Sequence, residues 1–116
     1  MTTEEFAEKI YQDCILNLSN NMINDLDTTS NNDSFVELYR NMNIDQKNNF
    51  KLFFKMGLIN SVSILFNTLD NRNTDFPEDF KLYYGDSDEQ LNNLELLDAF
   101  QNNAYDWDEK GNMTVK

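Results

Sequence analysis

Carboxylates are the most numerous ionisable side chains of this sequence, and they are concentrated in one segment. Residues 70–109 contain twelve Asp and Glu but only two basic residues, so this segment holds −10 of the total net charge of −12. Two carboxylates can act as acid and base in a glycosidase, but only where burial or a close like charge raises one pKa. A small helical domain offers little cleft for such a pair, so the sequence favours binding over catalysis.

The residues that most enzymes depend on are missing. The chain has no histidine, one cysteine and three glycines. Without histidine, the usual general base near neutral pH and every Ser-His or Cys-His nucleophile pair are excluded. Cys14 lies on an apolar stripe beside Asp13, without the positive surroundings that activate a thiol. We therefore expect no catalytic residues and no cofactor.

One short motif resembles a calcium-binding loop. Asp106, Asp108 and Gly111 match positions 1, 3 and 6 of an EF-hand loop. Position 5 is then Lys110, a cation where an oxygen ligand belongs, and position 12 falls beyond Lys116. We expect no metal site here.

Basic residues form one regular pattern. Lys47, Lys51 and Lys55 recur at four-residue steps and lie on one face of a predicted helix. Such a stripe can contact phosphates or an acidic patch, but it is more often a solvated face that pairs with nearby carboxylates.

Aromatic residues alternate with the carboxylates at two places in the acidic segment. Tyr and Trp anchor many protein interfaces because they bury a large rigid area at low entropic cost. A ring of carboxylates around such an anchor suits a partner that presents Lys and Arg. The predicted partner-binding residues are Tyr83, Tyr84, Asp86, Asp88, Glu89, Asp106, Trp107, Asp108 and Glu109. The alternative for Trp107 is a place in the core.

The N-terminal residues and the cysteine count indicate a compartment. The first five residues are acidic where a secretory signal is basic, and a single cysteine forms no internal disulfide. Lys55 and several serines interrupt the longest apolar stretch, so we expect no membrane span. The sequence predicts a soluble, cytoplasmic, single domain over residues 1–116, with no direct binding to nucleic acid or membranes.

Apolar spacing predicts two helices in the first part of the chain. Thr2 and Glu5 have capping-box spacing, and the helix that they open extends over about residues 4–26. Its predicted apolar stripe is Phe6, Ile10, Cys14 and Leu18, widened by Tyr11, Ile15 and Met22. Ser34 with Glu37 repeats the capping-box spacing and opens a short helix that closes near Asn43.

The third predicted helix, residues 45–69, is apolar on two sides. Asp45 is its expected N-cap, and a helix of this kind is usually buried in the middle of a bundle. Gly57 and Ser61 would let a neighbouring element approach closely. Alternatively, Gly57 ends one helix, and Asn60 or Ser61 caps the next.

The last part of the chain mixes structure types. Residues 70–79 are expected to form a loop, and residues 80–84 a short strand that ends at Gly85. Ser87 with Gln90 is expected to open a last helix that runs to about residue 103. Residues 105–115 form either a hairpin around Gly111 or a frayed tail. The predicted fold class is mainly α, a compact bundle of four or five helices around a central apolar helix, with at most a minor β element.

A resemblance supports this interpretation. The stretches 61–70 (SVSILFNTLD), 80–83 (FKLY) and 96–100 (LLDAF) are similar in layout to small bacterial immunity proteins, which neutralise toxins of polymorphic and contact-dependent systems. The resemblance implies one cognate toxin and no catalysis.

Three functions follow as hypotheses. The first is an inhibitor of a basic toxin such as a nuclease, whose association the acidic field would accelerate. The second is a DNA mimic from a phage or mobile element, whose carboxylates occupy a basic nucleic-acid channel. The third is a regulatory or scaffold module. The sequence leaves the oligomeric state open, and an apolar patch on the Phe-rich helix would suit a homodimer.

Overall fold

The computed structural model describes residues 1–30, 33–72 and 75–116, most of which are helical. A small antiparallel hairpin follows the last helix. The predicted fold class, mainly α with a minor β element, is confirmed. The polar run 27–33 and the predicted loop 70–79 each include two residues outside the described part.

Residues 3–28 form one long helix whose middle part is π-helical. Helix α1 (Thr3–Ile10), a π-helical segment (Tyr11–Asn17) and helix α2 (Leu18–Thr28) follow one another without a break. The predicted capping box is present, since Thr2 and Glu5 exchange hydrogen bonds of 3.1 Å. The predicted helix is confirmed, but its π-helical segment was not predicted.

The buried stripe of this long helix lies beside the predicted one. Its buried residues are Thr3, Ala7, Tyr11, Ile15 and Ser19. The residues predicted to centre the stripe are half-buried or exposed, so that prediction is wrong by one position. Four residues of an α-helix rotate about the helix axis by about 40° more than a full turn. Four residues of the wider π-helix rotate by less than a full turn. The π-helical segment therefore offsets the drift and keeps all five residues on one face.

The N-caps of helices α3 (Ser34–Arg40) and α4 (Ile44–Leu69) lie one and two residues, respectively, before the predicted caps. Asp33, rather than Ser34, caps α3 by accepting a hydrogen bond from the amide of Val36. Asn43, rather than Asp45, caps α4 in a capping box with Gln46. Helix α4 is unbroken, so the alternative of a helix end at Gly57 is wrong.

The expectation that α4 is buried in the middle of a bundle is wrong for most of its length. Only Ile59 and Phe66 of this helix are buried. A Cβ atom placed on Gly57 would have nothing within 4 Å, so none of the described elements makes the close approach that Gly57 permits. The apolar residues on one side of α4 therefore face solvent.

The core lies where the N-terminal helix, the second half of α4 and helix α5 (Leu96–Ala104) meet. Phe66 stacks edge-on against Phe100 with ring centroids 5.4 Å apart, and Phe6 and Tyr11 pack around this pair. A smaller aromatic cluster joins α3 to the first half of α4.

Residues 80–95 are irregular, so the predicted strand and the predicted helix start at Ser87 are both wrong. Two Asn side chains replace a strand partner. Asn71 exchanges two hydrogen bonds with the backbone of Phe80. The buried amide of Asn92 accepts from the Leu82 amide and donates to the Phe80 and Leu69 carbonyls. An Asn side chain carries one carbonyl and one amide nitrogen, so it satisfies an extended backbone as a neighbouring strand would.

Helix α5 is capped by a residue from another part of the chain. The buried carboxylate of Asp70, at the end of α4, accepts a 2.9 Å hydrogen bond from the amide of Leu97. Its Oδ1 atom has no hydrogen-bond partner in the described part. This contact fixes the end of α4 against the beginning of α5.

The hairpin is confirmed. Strand β1 (Tyr105–Trp107) pairs antiparallel with β2 (Met113–Val115), and Trp107 lies opposite Met113. Gly111 has a φ of 82°, the left-handed conformation expected of it in the turn. The amide of Lys116 donates to the carbonyl of Ala104, which joins the hairpin to α5.

The molecule is more extended than a typical domain of its size. The radius of gyration is 17.4 Å, against about 13 Å expected for this length. Its principal extents are 50 × 37 × 28 Å. The prediction of a compact bundle around a central helix therefore needs correction, because α4 lies at one side of the core.

Candidate protein-binding site

The acidic segment is exposed to solvent almost throughout. Of its twelve carboxylates, eleven belong to exposed residues, and only Asp70 is buried. Two of them pair with the chain's own cations: Asp98 lies 3.5 Å from Arg72, and Asp106 lies 3.9 Å from Lys116. Exposed ion pairs of this kind are weak. Most of the negative charge of the segment is therefore presented to solvent.

Five of the predicted partner-binding residues form the first of two clusters, which we call the loop cluster: Tyr83, Tyr84, Asp86, Asp88 and Glu89. All five are exposed. A turn at Gly85, which has a φ of 58°, holds them together. The Ser87 amide donates to the Tyr84 carbonyl across this turn, and the Ser87 hydroxyl accepts from the Glu89 amide.

The remaining four residues form the hairpin cluster: Asp106, Trp107, Asp108 and Glu109. Trp107 is 51% exposed. Its ring lies edge-on to the ring of Tyr105, and the two ring centroids are 6.3 Å apart. It lies outside the core, so the alternative that placed it there is wrong. Each cluster thus combines exposed aromatic rings with exposed carboxylates.

Asp108 also has a structural role within the hairpin. Its carboxylate accepts hydrogen bonds from the amides of Lys110 and Asn112 and from the Asn112 side chain. These donors favour the ionised form, and those of Asn112 contribute most, so the pKa of Asp108 is lowered from its ordinary value. Asp108 therefore fixes the turn that presents Trp107.

The two clusters stand on either side of α5 in the chain. The loop cluster precedes the helix, and the hairpin cluster follows it directly. The helix between them has nine residues and is about 13 Å long. The predicted residues therefore lie in two separate segments, the irregular loop and the hairpin.

The other sequence features show no site geometry. Among the residues that the structure describes, no group of three or more His, Cys, Asp or Glu is arranged to hold a metal ion. Cys14 is half-buried in the π-helical segment. Within the lysine stripe, Lys47 lies 5.1 Å from the ring centre of Tyr39, and Lys55 donates to the backbone of Lys116.

Tyr39 anchors α3 beside this stripe. Its side chain is fully buried, and its hydroxyl lies near the carboxylate of Asp27 without a hydrogen bond of regular geometry to the described residues. Burial raises the pKa of Tyr39, and the nearby carboxylate of Asp27 raises it further. The phenol therefore stays neutral at physiological pH and acts as packing.

A second surface is formed by α2, α3 and α4, of which the sequence predicted only an apolar patch on the Phe-rich helix. An apolar groove of about 560 Å³ runs between these helices, and its lining includes Met22, Leu26, Phe35, Phe50 and Phe54. Ten of the eighteen large apolar side chains that the described part exposes belong to the same three helices. The two apolar sides of α4 were the available signal, but they were interpreted as a sign of burial.

Within the described residues, α4 is one helix that is long and apolar enough to cross a membrane. The sequence analysis expected no membrane span, because Lys55 and several serines interrupt this apolar stretch. However, Ile59 and Phe66 of the same helix belong to the core. Crossing a membrane would require α4 to leave its contacts with the N-terminal helix and α5.

Comparisons of the chain with protein-family models, with curated proteins and with solved structures give no match. The similarity to immunity proteins therefore stays a prediction from the sequence.

Proposed function

We propose that this chain is a non-catalytic binding protein that docks onto a basic surface of another protein, and that it acts as an immunity-type inhibitor of a basic toxin such as a nuclease. The observation that carries the proposal is the exposure of eleven carboxylates around exposed Tyr and Trp side chains. Such a surface gains little from folding, because its charges repel one another and its rings remain in water. It gains from a partner that supplies Lys and Arg.

The two clusters fit a partner with two basic contact regions. Each cluster offers an aromatic anchor, Tyr84 or Trp107, beside several carboxylates. In interfaces of this kind, the aromatic anchor supplies most of the affinity, and the surrounding charges supply on-rate and specificity. We infer that both clusters contact the same partner, since each combines exposed aromatic rings with exposed carboxylates.

The arrangement is less suited to mimicry of DNA. A mimic needs rows of carboxylates at the spacing of duplex phosphates over an extended face. Here the carboxylates lie mainly in a loop and a turn, and Arg72 and Lys116 interrupt the region between the clusters. The inhibitor proposal assumes a cytoplasmic location, as expected from the sequence.

Affinity capture from a lysate of the source organism tests the proposal, with proteins identified by mass spectrometry at low and at moderate salt. We expect a basic protein whose recovery falls as salt rises, because screening weakens the attraction between exposed charges. A toxin would support the inhibitor role, and a restriction or CRISPR effector would instead support mimicry. Recovery of no basic protein at either salt would contradict both.

Variants of each cluster then locate the contact on the recovered partner. We expect Trp107→Ala with Asp106→Asn, and separately Tyr84→Ala with Asp86→Asn, to weaken binding at least tenfold each. Asp108 is left intact because it fixes the hairpin turn. The matched control is Glu37→Gln, which removes one exposed carboxylate from α3. Equal affinity of all variants would show that the partner binds elsewhere.

A further inference from the structure

The molecule exposes more surface than a compact monomer of its size, and ten of its eighteen exposed large apolar side chains in the described part lie on α2, α3 and α4. A folded monomer of 13.7 kDa is expected to expose about 6,600 Å², whereas this chain exposes 7946 Å². The excess is larger than the roughly 800 Å² that each partner buries in a standard protein interface. Surfaces of this kind mark a site of association.

The surface contains both a groove and a matching ridge. The ridge consists of Phe53, Met56 and Ile64, which project from one side of α4. Phe53 is 75% exposed and Ile64 is 70% exposed. The groove described above lies directly beside the ridge, because Phe53 also lines its edge. A surface that carries a ridge and a groove side by side can complement itself about a two-fold axis.

The charge distribution also favours a second copy on this surface. Two chains with a net charge of −12 each repel one another through most faces. Helix α4 has three lysines and one carboxylate, and its residues 56–69 have no charged side chain, whereas Asp25 of α2 lines the groove. Contact through residues 56–69 of α4 therefore brings uncharged segments of the two copies together.

Gly57 lies between these parts of the surface. Space is open where its Cβ would be, so a second helix can approach the backbone of α4 there without displacing a side chain. The close approach that the sequence led us to expect is not made within one chain.

We propose that two copies of this chain form a symmetric dimer through α4, with the ridge of each copy packed into the groove of the other. The dimer does not depend on the inhibitor proposal, because it uses a different surface. It leaves the loop cluster and the hairpin cluster of both copies free to bind partners.

Sedimentation velocity over low to high micromolar concentrations tests the dimer. We expect the unmodified chain to dimerise, and we expect added salt to strengthen the dimer, since salt screens the repulsion between acidic chains. Phe53→Ser combined with Ile64→Ser should raise the dissociation constant at least about a hundredfold, because each substitution removes buried apolar area from both copies. Both side chains are exposed in one chain, so circular dichroism should show an unchanged fold.

Leu94→Asn is the matched control. Leu94 is 59% exposed but belongs to none of α2, α3 and α4, and Asn tolerates its φ of 72°. This variant should dimerise like the unmodified chain. If the double variant loses helical structure, the single variant Phe53→Gln replaces it.

Two results would overturn the proposal. One is a monomer at every concentration and salt, including a monomer that binds phosphatidylcholine vesicles through α4, which would assign the surface to lipid. The other is a dimer that the ridge variants leave as tight as before.

Discussion

Asn and Asp side chains act as parts of the backbone framework at several places in this protein. Asn92 and Asn71 pair with the extended residues 80–82, and Asp70 caps α5 from the end of another helix. Asn43 and Asp33 cap the helices that follow them. A buried backbone group must find a hydrogen-bond partner, and short amide and carboxylate side chains reach it without a regular neighbouring strand or turn.

Replacing Asn92 with Ala should strongly destabilise the fold. The substitution removes three hydrogen bonds and takes the Asn92 partner from the Leu82 amide and the Leu69 carbonyl, whereas the Phe80 carbonyl keeps its bond from Asn71. We expect a loss of about 3 kcal/mol in the free energy of unfolding and a fall in Tm of roughly 10 °C. Urea denaturation followed by circular dichroism measures the change.

The control for this variant is Asn102→Ala, at an exposed position of α5. Ala is the better helix former, so its free energy of unfolding should stay within about 0.5 kcal/mol of the unmodified value. If Asn92→Ala proved equally mild, water would have to satisfy the backbone of residues 80–82, contrary to the buried position of Asn92.

Asp108 should make the hairpin sensitive to acid. Its pKa is lowered in the folded state, so its contribution to stability is present above its ordinary pKa and is lost as the pH falls through the lowered value. We expect the amide signals of Gly111 and Asn112 in NMR spectra to move toward random-coil positions below about pH 4. The variant Asp108→Asn should abolish this pH dependence. A transition that persists in the variant would assign the titration to another carboxylate.

At the scale of the elements, the long N-terminal helix shows how a change of helix type adjusts a buried face. Its five buried residues follow a strict four-residue period. Neither the α-helix nor the π-helix has this period, but the two in succession approximate it. The hydroxyl of Thr3 then reaches the carbonyl of Leu91, which ties the start of this helix to the irregular segment before α5.

Gly57 is expected to reduce the stability of α4 in a single chain. Gly in an exposed helix interior is about 1 kcal/mol less favourable than Ala, and a Cβ at this position meets nothing within 4 Å. In dilute solution, where the chain is monomeric, Gly57→Ala should therefore raise the free energy of unfolding by about that amount. Thermal denaturation at low protein concentration measures it.

Gly111→Ala provides a contrast for Gly57→Ala. Gly111 has a φ of 82°, which Ala adopts only with strain, so this substitution should lower stability instead. An equal effect of the two substitutions would show that backbone conformation does not decide their sign.

At the scale of the whole molecule, charge and apolar surface are segregated. The exposed carboxylates of residues 75–109 lie before, within and after α5 in the chain. The groove and the ridge lie on α2, α3 and α4. Salt should therefore act on the two proposed surfaces in opposite directions. It weakens the attraction of a basic partner, and it weakens the repulsion between two acidic copies.

The sequence by itself determined the features that depend on neighbouring residues. The helical class and the course of the N-terminal helix follow from caps and apolar spacing within a few positions. The sequence left open whether α4 breaks at Gly57 and whether residues 105–115 form a hairpin or a tail, and the structure shows an unbroken α4 and a hairpin. The exposure of Trp107 and the carboxylates agrees with the polar character of their segments.

Only the tertiary structure decided which apolar faces are covered. The sequence shows that α4 is apolar on two sides, but burial depends on where the other elements lie, and here they cover only one side of α4. The same reason explains Asn92 and Asp70, whose partners are ten to twenty-seven residues away in sequence. The predicted binding residues form two clusters because α5 lies between them in the chain.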